Sequence, residues 1–361
     1  MAELPKIYPI WVDARNTRVY GMDSDDQGTL WFTGSLPILY RYWPRTGTIT
    51  STCIPSDHGG SQSLCAGGKV YVLPQTRPRI TVYHVADSRV YQVDKPFPEA
   101  NLWYGEADKE RSLLYLPERS RPCLVLWDVE RDEGQVFPYP EEGSLPCILD
   151  IDWPQRLKEF PIPVVKGWPA RRVYFDPEVR RFIAEHIGAI PPVHPRTEEN
   201  VPRYLVTYED GWMIRLDLWT GEHYKRAVPG WGEEFGFIGG GVFHRGWQLN
   251  NLSTYNGSFR YNEQTGEYVA LRENPHLGVD GYPYHFMDRF LAYHPETDRF
   301  DVLVPDVPAG RYPQLCYSKV VGNELYITAN DIWSSELGRP LGSDERPIGR
   351  LMVLQSHPVQ G

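Results

Sequence analysis

The sequence is poor in the features that mark several common protein classes. Its five cysteines are far apart and include no C-x-x-C pair, which argues against a disulfide framework and a cysteine-based zinc site. Lys and Arg number 37 against 47 Asp and Glu, so the formal net charge is −10. This acidic balance disfavours nucleic acid or an anionic membrane surface as a partner.

Targeting and membrane signals are also missing. The first ten residues, MAELPKIYPI, contain neither the apolar region nor the cleavage site of a signal peptide, and no apolar run is long enough to span a membrane. As written, the sequence predicts a cytoplasmic protein, with no membrane partner, that is monomeric. A signal peptide already removed would leave no trace in it.

Common catalytic motifs are absent as well. The sequence has no H-E-x-x-H, no nucleophilic serine motif and no paired-histidine metal spacing, so we assign no metal ligand. Gly239–Gly241 lacks the spacing of a nucleotide-binding loop and is interpreted as a strand kink or a tightly packed segment. The acidic run Asp23–Asp26 lacks the ligand spacing of a calcium loop and is interpreted as a solvated turn. A divalent cation (Mg, Ca or Mn) held by distant residues stays open as a cofactor.

What the sequence does contain is a repeat. Residues 20–50 are typical of three strands and two turns, because aromatic and polar residues alternate between Gly- and Asp-rich turns. The strand before the outer turn recurs every 40–45 residues or so. Its markers are Tyr42, Tyr83, Trp127, Phe175, Leu216, Tyr261, Tyr293 and Val353. Such a period predicts an all-β fold, a β-propeller of four-stranded antiparallel blades.

The repeat favours a single propeller domain over residues 1–361. Seven blades fit best, with six or eight open because the last two markers are irregularly spaced. Residues 152–200 fit poorly and predict an irregular blade or an insertion, with a short helix at Pro177–Ile187. We also expect Ile7–Val12 to pair beside Arg350–Gln355 and close the ring, which would hide two exposed strand edges.

One repeat carries a family resemblance. The segment Asp25–Thr50, DDQGTLWFTGSLPILYRYWPRTGTIT, resembles the repeat of the streptogramin lyase-like propellers, D-G-x-x-W-F-T followed by D-P-x-T-G. The match covers this repeat well and the others in outline, and it overlaps the gluconolactonase-type and sugar-lyase propellers. The resemblance implies cleavage of a carbon–oxygen bond by β-elimination in the central funnel. His or Tyr would act as acid and base there, in some members beside a divalent metal.

Candidate site residues follow from the expected fold. In a propeller, the loop that leads into the innermost strand of each blade lies on the face where ligands usually bind. Five such segments carry His, Tyr, Trp, Arg and Glu: residues 58–62, 101–106, 233–237, 282–285 and 311–314. Converging on one axis, they would form a polar site with aromatic walls, as is typical of a sugar pocket.

The catalytic candidates are assigned by chemistry. His285 would take an α-proton, Tyr282 would return a proton to the leaving oxygen, and Arg311 would neutralise a substrate carboxylate. The alternative is that Tyr282 and His285 pack a short blade. His58 is a further catalytic candidate, since two glycines beside it would admit a ligand or a neighbouring backbone; otherwise it is a surface turn histidine.

The remaining candidates would bind the substrate. They are Trp103, Tyr104, Glu106, Glu234, Phe235, Arg289 and Tyr312. For the aromatic residues, packing between blades is the alternative role; for Arg289 and Arg311, it is an ordinary surface position.

Two classes of function remain after these steps. The first is a carbon–oxygen lyase acting on an oligosaccharide that contains uronic acid, or on a similar small molecule. The alternative is a non-catalytic propeller that binds a protein or a glycan through one face. A glycoside hydrolase on the same scaffold would need a carboxylate pair or a metal, and Glu106 and Glu234 are the candidates for the pair.

Overall fold

The fold is described from a computed structural model. It describes residues 6–15, 18–56, 58–118, 121, 123–138, 148–149, 157–159, 171–186, 204–209, 212–217, 223–228, 235–244, 247–254, 259–262, 267–270, 287–303, 313–322, 324–331, 333–334, 339–340 and 348–355. These residues form β-strands joined by turns and contain no helix. The described residues therefore contain no helix that is long and apolar enough to cross a membrane.

The chain divides into two compact units. The first unit contains Met1–Val19, Val206–Ile214 and Lys225–Gly361. The second contains Tyr20–Leu205 and Arg215–Tyr224. The first strand, β1 (Lys6–Arg15), belongs to the first unit and is described with it below.

The next twelve strands form three antiparallel sheets of four strands each. Sheet 1 contains β2 (Val19–Ser24), β3 (Leu30–Gly34), β4 (Ile38–Trp43) and β5 (Thr48–Cys53). Sheet 2 contains β6 (Ser63–Ala66), β7 (Lys69–Val72), β8 (Arg79–His84) and β9 (Arg89–Asp94). Sheet 3 contains β10 (Glu106–Asp108), β11 (Leu113–Pro117), β12 (Cys123–Asp128) and β13 (Glu133–Pro138). The strand order within each sheet follows the chain, as expected for a propeller blade.

A turn of the same geometry recurs in several of the sheets. The last residue of the hairpin turn after the third strand has a positive φ in several sheets. These residues are Gly47, Ser88, Asp132, Arg180 and Asp298, with φ between 50° and 66°. A left-handed residue at this position fits a hairpin turn to the right-handed twist of its strands.

Aliphatic and aromatic side chains fill the space between neighbouring sheets. Tyr71, Val82, Leu116 and Trp127 belong to a buried cluster shared by sheets 2 and 3. Trp31 of sheet 1 packs with Tyr83 of sheet 2 in a second cluster, with ring centroids 5.1 Å apart. Replacing a fully buried aromatic such as Trp127 with Ala typically costs about 3–5 kcal/mol. This packing is the main stabilising contribution expected for the sheets.

The region predicted to be irregular also contains a sheet. It comprises β14 (Ile148–Leu149), β15 (Leu157–Glu159), β16 (Arg171–Asp176) and β17 (Arg181–His186). The predicted helix at Pro177–Ile187 is wrong, because residues 177–180 form a turn and 181–186 pair with β16. Arg180, with φ +50°, takes the left-handed position that Gly47 has in sheet 1. The segment is thus another copy of the repeat's hairpin.

A three-stranded sheet follows, with residues assigned to both units. It contains β18 (Tyr204–Glu209), β19 (Trp212–Asp217) and β20 (His223–Ala227).

The first unit contains two further four-stranded sheets and two short hairpins. The strands are β21 (Phe235–His244), β22 (Trp247–Thr254), β23 (Phe259–Asn262), β24 (Glu267–Ala270), β25 (Met287–His294), β26 (Arg299–Leu303), β27 (Pro313–Val321), β28 (Glu324–Asp331), β29 (Trp333–Ser334), β30 (Arg339–Pro340) and β31 (Ile348–Gln355). One sheet has the order β21-β22-β25-β26, and the other has β1-β31-β28-β27. The predicted pairing of the two ends is confirmed, since Lys6 of β1 lies opposite Gln355 of β31.

The hairpins explain the irregular spacing of the last markers. The hairpin β23–β24 contains Tyr261 and lies between β22 and β25 in the sequence. It forms a separate two-stranded sheet, while β22 and β25 pair directly with each other. Tyr261 therefore marks an inserted hairpin, and its interpretation as a blade marker is wrong. The hairpin β29–β30 likewise lies between β28 and β31 in the sequence and forms a separate two-stranded sheet. The strand kink expected at Gly239–Gly241 is confirmed by a register shift between Ile238 and Gly241.

Candidate functional site

The described part of the candidate site lies at one edge of sheets 1 to 3. Because neighbouring strands are antiparallel, the chain turns at alternate ends of each sheet. We call the end where it crosses from one sheet to the next the crossover edge. Its described residues are 35–37, 54–56, 58–62, 73–78, 95–105, 118 and 121. The opposite end, which carries the hairpins β4–β5, β8–β9 and β12–β13, is the hairpin edge.

Two glycines bring the first crossover segment against its neighbours. A Cβ atom on Gly59 would lie 1.6 Å from the carbonyl oxygen of Gly34 and 2.3 Å from that of Leu36. A Cβ atom on Gly60 would lie 2.3 Å from Cγ1 of Val72. The glycines beside His58 therefore admit neighbouring protein atoms, one of the two alternatives left open by the sequence.

A buried amide joins the first crossover segment to the second. The side-chain Nε2 of Gln62 donates to the carbonyl oxygen of Gly105 at 3.1 Å, and Gly105 N–H donates to Oε1 of Gln62 at 2.8 Å. Gln62 is also the parallel bridge partner of Gly21 in β2. A Cβ atom on Gly21 would lie 2.5 Å from Cγ of Gln62. Gln62 thus connects three sheets through hydrogen bonds and close packing.

Leu102 fixes the second crossover segment on both sides. It forms antiparallel bridges with Gln75, in the β7–β8 turn, and with Glu118, after β11. Gln75 N–H donates to the Leu102 carbonyl at 3.0 Å, and Leu102 N–H donates back to Gln75 at 3.1 Å. Trp103 and Tyr104, which follow Leu102, therefore extend from a firmly held backbone.

Two buried charged residues lie beneath this segment. Lys95 donates through Nζ to the carbonyl of Ala100, and Glu118 accepts the N–H of Asn101 at 2.7 Å. Burial lowers the pKa of Lys95, while the negative charges of Glu118 and Glu99 oppose that shift. Both side chains serve the local backbone, which is the ordinary role of a buried charge with partners.

The four sequence candidates in this unit have different exposures. His58 is exposed, and its backbone N–H donates to Oγ of Ser56 at 3.4 Å. Trp103 and Glu106 are half-buried, and Glu106 begins β10 opposite Tyr115. Tyr104 is 43% exposed. The hydrogen bonds between Gln62 and Gly105 join residues 58–62, which contain His58, to residues 101–106, which contain the other three candidates.

The remaining candidates are not placed in the same detail. His285, Tyr282, Arg311, Tyr312 and Glu234 lie outside the described residues. Phe235 begins β21 and pairs with Thr254, and Arg289 lies in β25 opposite Leu252; only their backbones are described. Their assigned roles stay predictions.

The two edges differ in charge. The charged residues described at the crossover edge are Arg77, Lys95, Glu99, Glu118 and Arg121. The turns of the hairpin edge carry more, namely Asp25, Asp26, Arg45, Asp87, Lys109, Glu110, Arg111, Glu130, Arg131 and Asp132. Across the described residues, no group of three or more His, Cys, Asp or Glu side chains is arranged to hold a metal ion. Among the described residues, the crossover edge therefore carries fewer charged side chains than the hairpin edge.

Sequence reasoning missed two contributions to this edge. Leu36, in the β3–β4 turn, is 37% exposed although it is apolar. The role of Gln62 was also missed, because a buried glutamine in a loop has no spacing signature. The acidic run was partly misread: Asp26 is exposed, but Asp23 is buried and accepts the N–H of Cys65 at 2.8 Å.

Comparison with solved structures bears on the fold. YCF48 from Cyanidioschyzon merolae has a similar structure, with a TM-score of 0.58 and 8% sequence identity over 97% of this chain and 98% of that chain. BamB from Moraxella catarrhalis is aligned with a TM-score of 0.46 and 12% identity over 94% of this chain and 86% of that chain. No protein-family model and no curated protein matches the sequence.

With its four-stranded antiparallel sheets and the similarity to YCF48, the chain is an all-β propeller. The similarity extends to the fold and not to the streptogramin lyase-like group in particular. The number of blades stays a prediction.

Proposed function

We propose that this chain is a non-catalytic β-propeller that binds a protein partner through the crossover edge of sheets 1 to 3. The observation that carries the proposal is that the polar and glycine residues of this edge contact other parts of the protein, whereas an aromatic side chain remains exposed. The amide of Gln62 is bonded to Gly105, and Gly59 and Gly60 are packed against neighbouring atoms. Exposed aromatic surface remains at Tyr104.

The chemistry of the edge suits a protein partner. The cores of protein interfaces are depleted in charge and enriched in aromatic residues such as Tyr and Trp. Tyr104 and Leu36 are exposed, and Trp103 is half-buried, on an edge whose described residues include few charged ones. The rigid backbone around Leu102 limits the ordering entropy lost on binding, which favours affinity.

A photo-crosslinking experiment tests the proposal. A photoreactive phenylalanine analogue at Tyr104 should capture a specific protein in extracts of the source organism, and the same analogue at Val136 serves as the control. Val136 is 39% exposed but lies on the outer strand β13. The purified partner should then bind the Tyr104→Ala variant about thirtyfold more weakly than the wild type, as expected for an aromatic anchor worth about 2 kcal/mol.

Other outcomes would contradict the proposal. Equal affinity of wild type and Tyr104→Ala for the captured protein would remove this edge from the interface. Tyr104-dependent binding of a glycan would make the ligand a carbohydrate. A rise in absorbance near 235 nm with uronic-acid-containing glycans, abolished by His285→Ala, would support the lyase predicted from the sequence instead.

A further inference from the structure

Arg41 occupies an unusual position near the hairpin edge of sheet 1. Its guanidinium carbon lies over two indole rings, 4.7 Å from the centroid of Trp31 and 4.2 Å from that of Trp43. Arg41 is in register with Trp31 on one side and with Thr50 on the other. These side chains, and that of Trp43 two residues later, therefore project from the same face of the sheet.

The guanidinium of Arg41 lacks an acceptor among the described residues. Its Nε atom is buried and makes no hydrogen bond. Indole faces attract a cation through the ring quadrupole, but they offer no lone pair to an N–H group. Within the same part of the chain, Arg41 forms no ion pair with a carboxylate. Its donors are thus held in place while their hydrogen-bonding capacity is unused.

Three other arginines show the usual pairing with a carboxylate. Arg226 lies 2.7 Å from Asp298, and Arg79 lies 3.0 Å from Asp94. Arg111 pairs with Asp108 at 3.3 Å. Arg41 differs from them because aromatic rings, and not a carboxylate, fix its orientation.

We propose that Arg41 is the centre of an anion site that binds the carboxylate of a small organic acid. A planar carboxylate matches the fork of guanidinium N–H donors, and the stacking rings hold that fork in place before the ligand arrives. Thr48 and Thr50 are exposed on the same face, in register with Trp43 and Arg41, and supply hydroxyl donors. Trp43 is half-buried and offers an apolar wall to the rest of the ligand. The site lies away from the crossover edge and does not depend on the proposed function.

Nuclear magnetic resonance can observe this group directly. In the full chain, the Arg41 side-chain Nε–H resonance, assigned by its loss in Arg41→Lys, should shift saturably as acetate is added at constant ionic strength. Inorganic phosphate, a tetrahedral oxoanion, distinguishes a general anion site from one that prefers carboxylate, and we expect the weaker response to phosphate. Chloride at the same concentrations should produce no saturable shift.

Variants give a second measurement. Stabilisation of the protein by acetate, followed as the rise in melting temperature, should require at least about tenfold more acetate in Arg41→Lys, because lysine keeps the charge but loses the planar fork. Arg79→Lys, which alters an exposed and already paired arginine, should respond to acetate within twofold of the wild type.

Three results would overturn the proposal. They are an Arg41 resonance that does not move with acetate, one that moves equally with chloride, and one that responds more strongly to phosphate than to acetate. If Arg41→Lys does not fold, the resonance is assigned by its nuclear Overhauser effects to the ring protons of Trp31 and Trp43, and the titration of the wild type still decides the question.

Discussion

The two edges of sheets 1 to 3 are held together by different chemistry. At the crossover edge, neutral groups make most of the connections between segments: the Gln62 amide bonds to Gly105, and glycines allow backbones to touch. The buried Lys95 and Glu118 bond there to the local backbone. At the hairpin edge, Asp132 accepts hydrogen bonds from Lys69, Tyr71 and Tyr91 of the preceding sheet. The contacts between sheets thus depend mainly on neutral groups at one edge and on a charged side chain at the other.

The difference bears on function. Charged turns are well solvated, and removing them from water on binding is costly. An edge whose polar groups already bond to each other loses less solvation when a partner covers it. This is the physical reason why we propose that a partner binds at the crossover edge and not at the charged turns of the hairpin edge.

The strongest test of the crossover edge is Gly59→Ala. Its Cβ would lie 1.6 Å from a backbone oxygen, so the neighbouring turn must move. We expect a loss of at least about 3 kcal/mol in the free energy of unfolding, measured by urea denaturation. Gly68→Ala is the control, because Gly68 has φ +70° but a Cβ there would meet no atom within 4 Å, and it should cost only about 1–2 kcal/mol. Equal losses would mean that close packing is not what makes Gly59 necessary.

The next largest effect is expected for Gln62→Leu. This change leaves the N–H and the carbonyl of Gly105 buried without partners, which should cost about 2–3 kcal/mol. Gln135→Leu provides the matched control, since Gln135 is exposed and its side-chain oxygen accepts a hydrogen bond from Arg180 at 3.0 Å. It should change stability by less than about 0.5 kcal/mol. A small effect of Gln62→Leu would show that water replaces the amide at this junction.

At the hairpin edge, Asp132→Asn should have a smaller effect. The variant loses the ion pair with Lys69 at 2.9 Å, but its amide oxygen still accepts one hydrogen bond. We expect a loss of about 1–2 kcal/mol in the free energy of unfolding, because both side chains of the pair are mostly buried. Asp94→Asn, in the exposed pair with Arg79, should cost about 0.5 kcal/mol or less. If the two variants lose equal stability, Asp132 does not join sheets 2 and 3 as we infer.

The features of the fold that could be predicted from the sequence are those that recur in each repeat or close the ring. The β-strands around Trp31, Tyr83 and Trp127 are predictable because their alternation and turns have a fixed spacing. The pairing of β1 with β31 is predictable because an open sheet leaves edges exposed. Where hairpins are inserted, as at Tyr261, the same spacing misleads, since an inserted hairpin has the same turn chemistry as a blade.

The candidate site is less predictable. The sequence locates residues 58–62 and 101–106 on one edge, because the order of strands in a blade fixes which loops lie together. It cannot show that Gln62 bonds to Gly105, since that contact joins residues 43 positions apart in sequence. The buried position of Asp23 escapes sequence reasoning for the same reason, because its partner Cys65 lies in another sheet.

The smallest expected effect concerns pH and the hairpin edge. Burial, followed by the hydrogen bond to Asp132, raises the pKa of Tyr91 to about 12. In the unfolded chain the hydroxyl releases its proton near pH 10, whereas the folded protein keeps it until about pH 12. Above pH 10 the unfolded state therefore binds fewer protons, so the stability that Tyr91 contributes is present below pH 10 and is lost between pH 10 and 12.

Tyr91→Phe isolates this contribution from those of the other tyrosines. The variant should be less stable than the wild type at pH 9, because Asp132 loses a donor, and the difference should shrink at pH 11.5. Urea denaturation of both proteins at the two pH values measures it. A difference that does not change with pH would mean that the Tyr91 hydroxyl is not bonded to Asp132 in solution, and the contrast between a charged and a neutral edge would then rest on Lys69 and Tyr71.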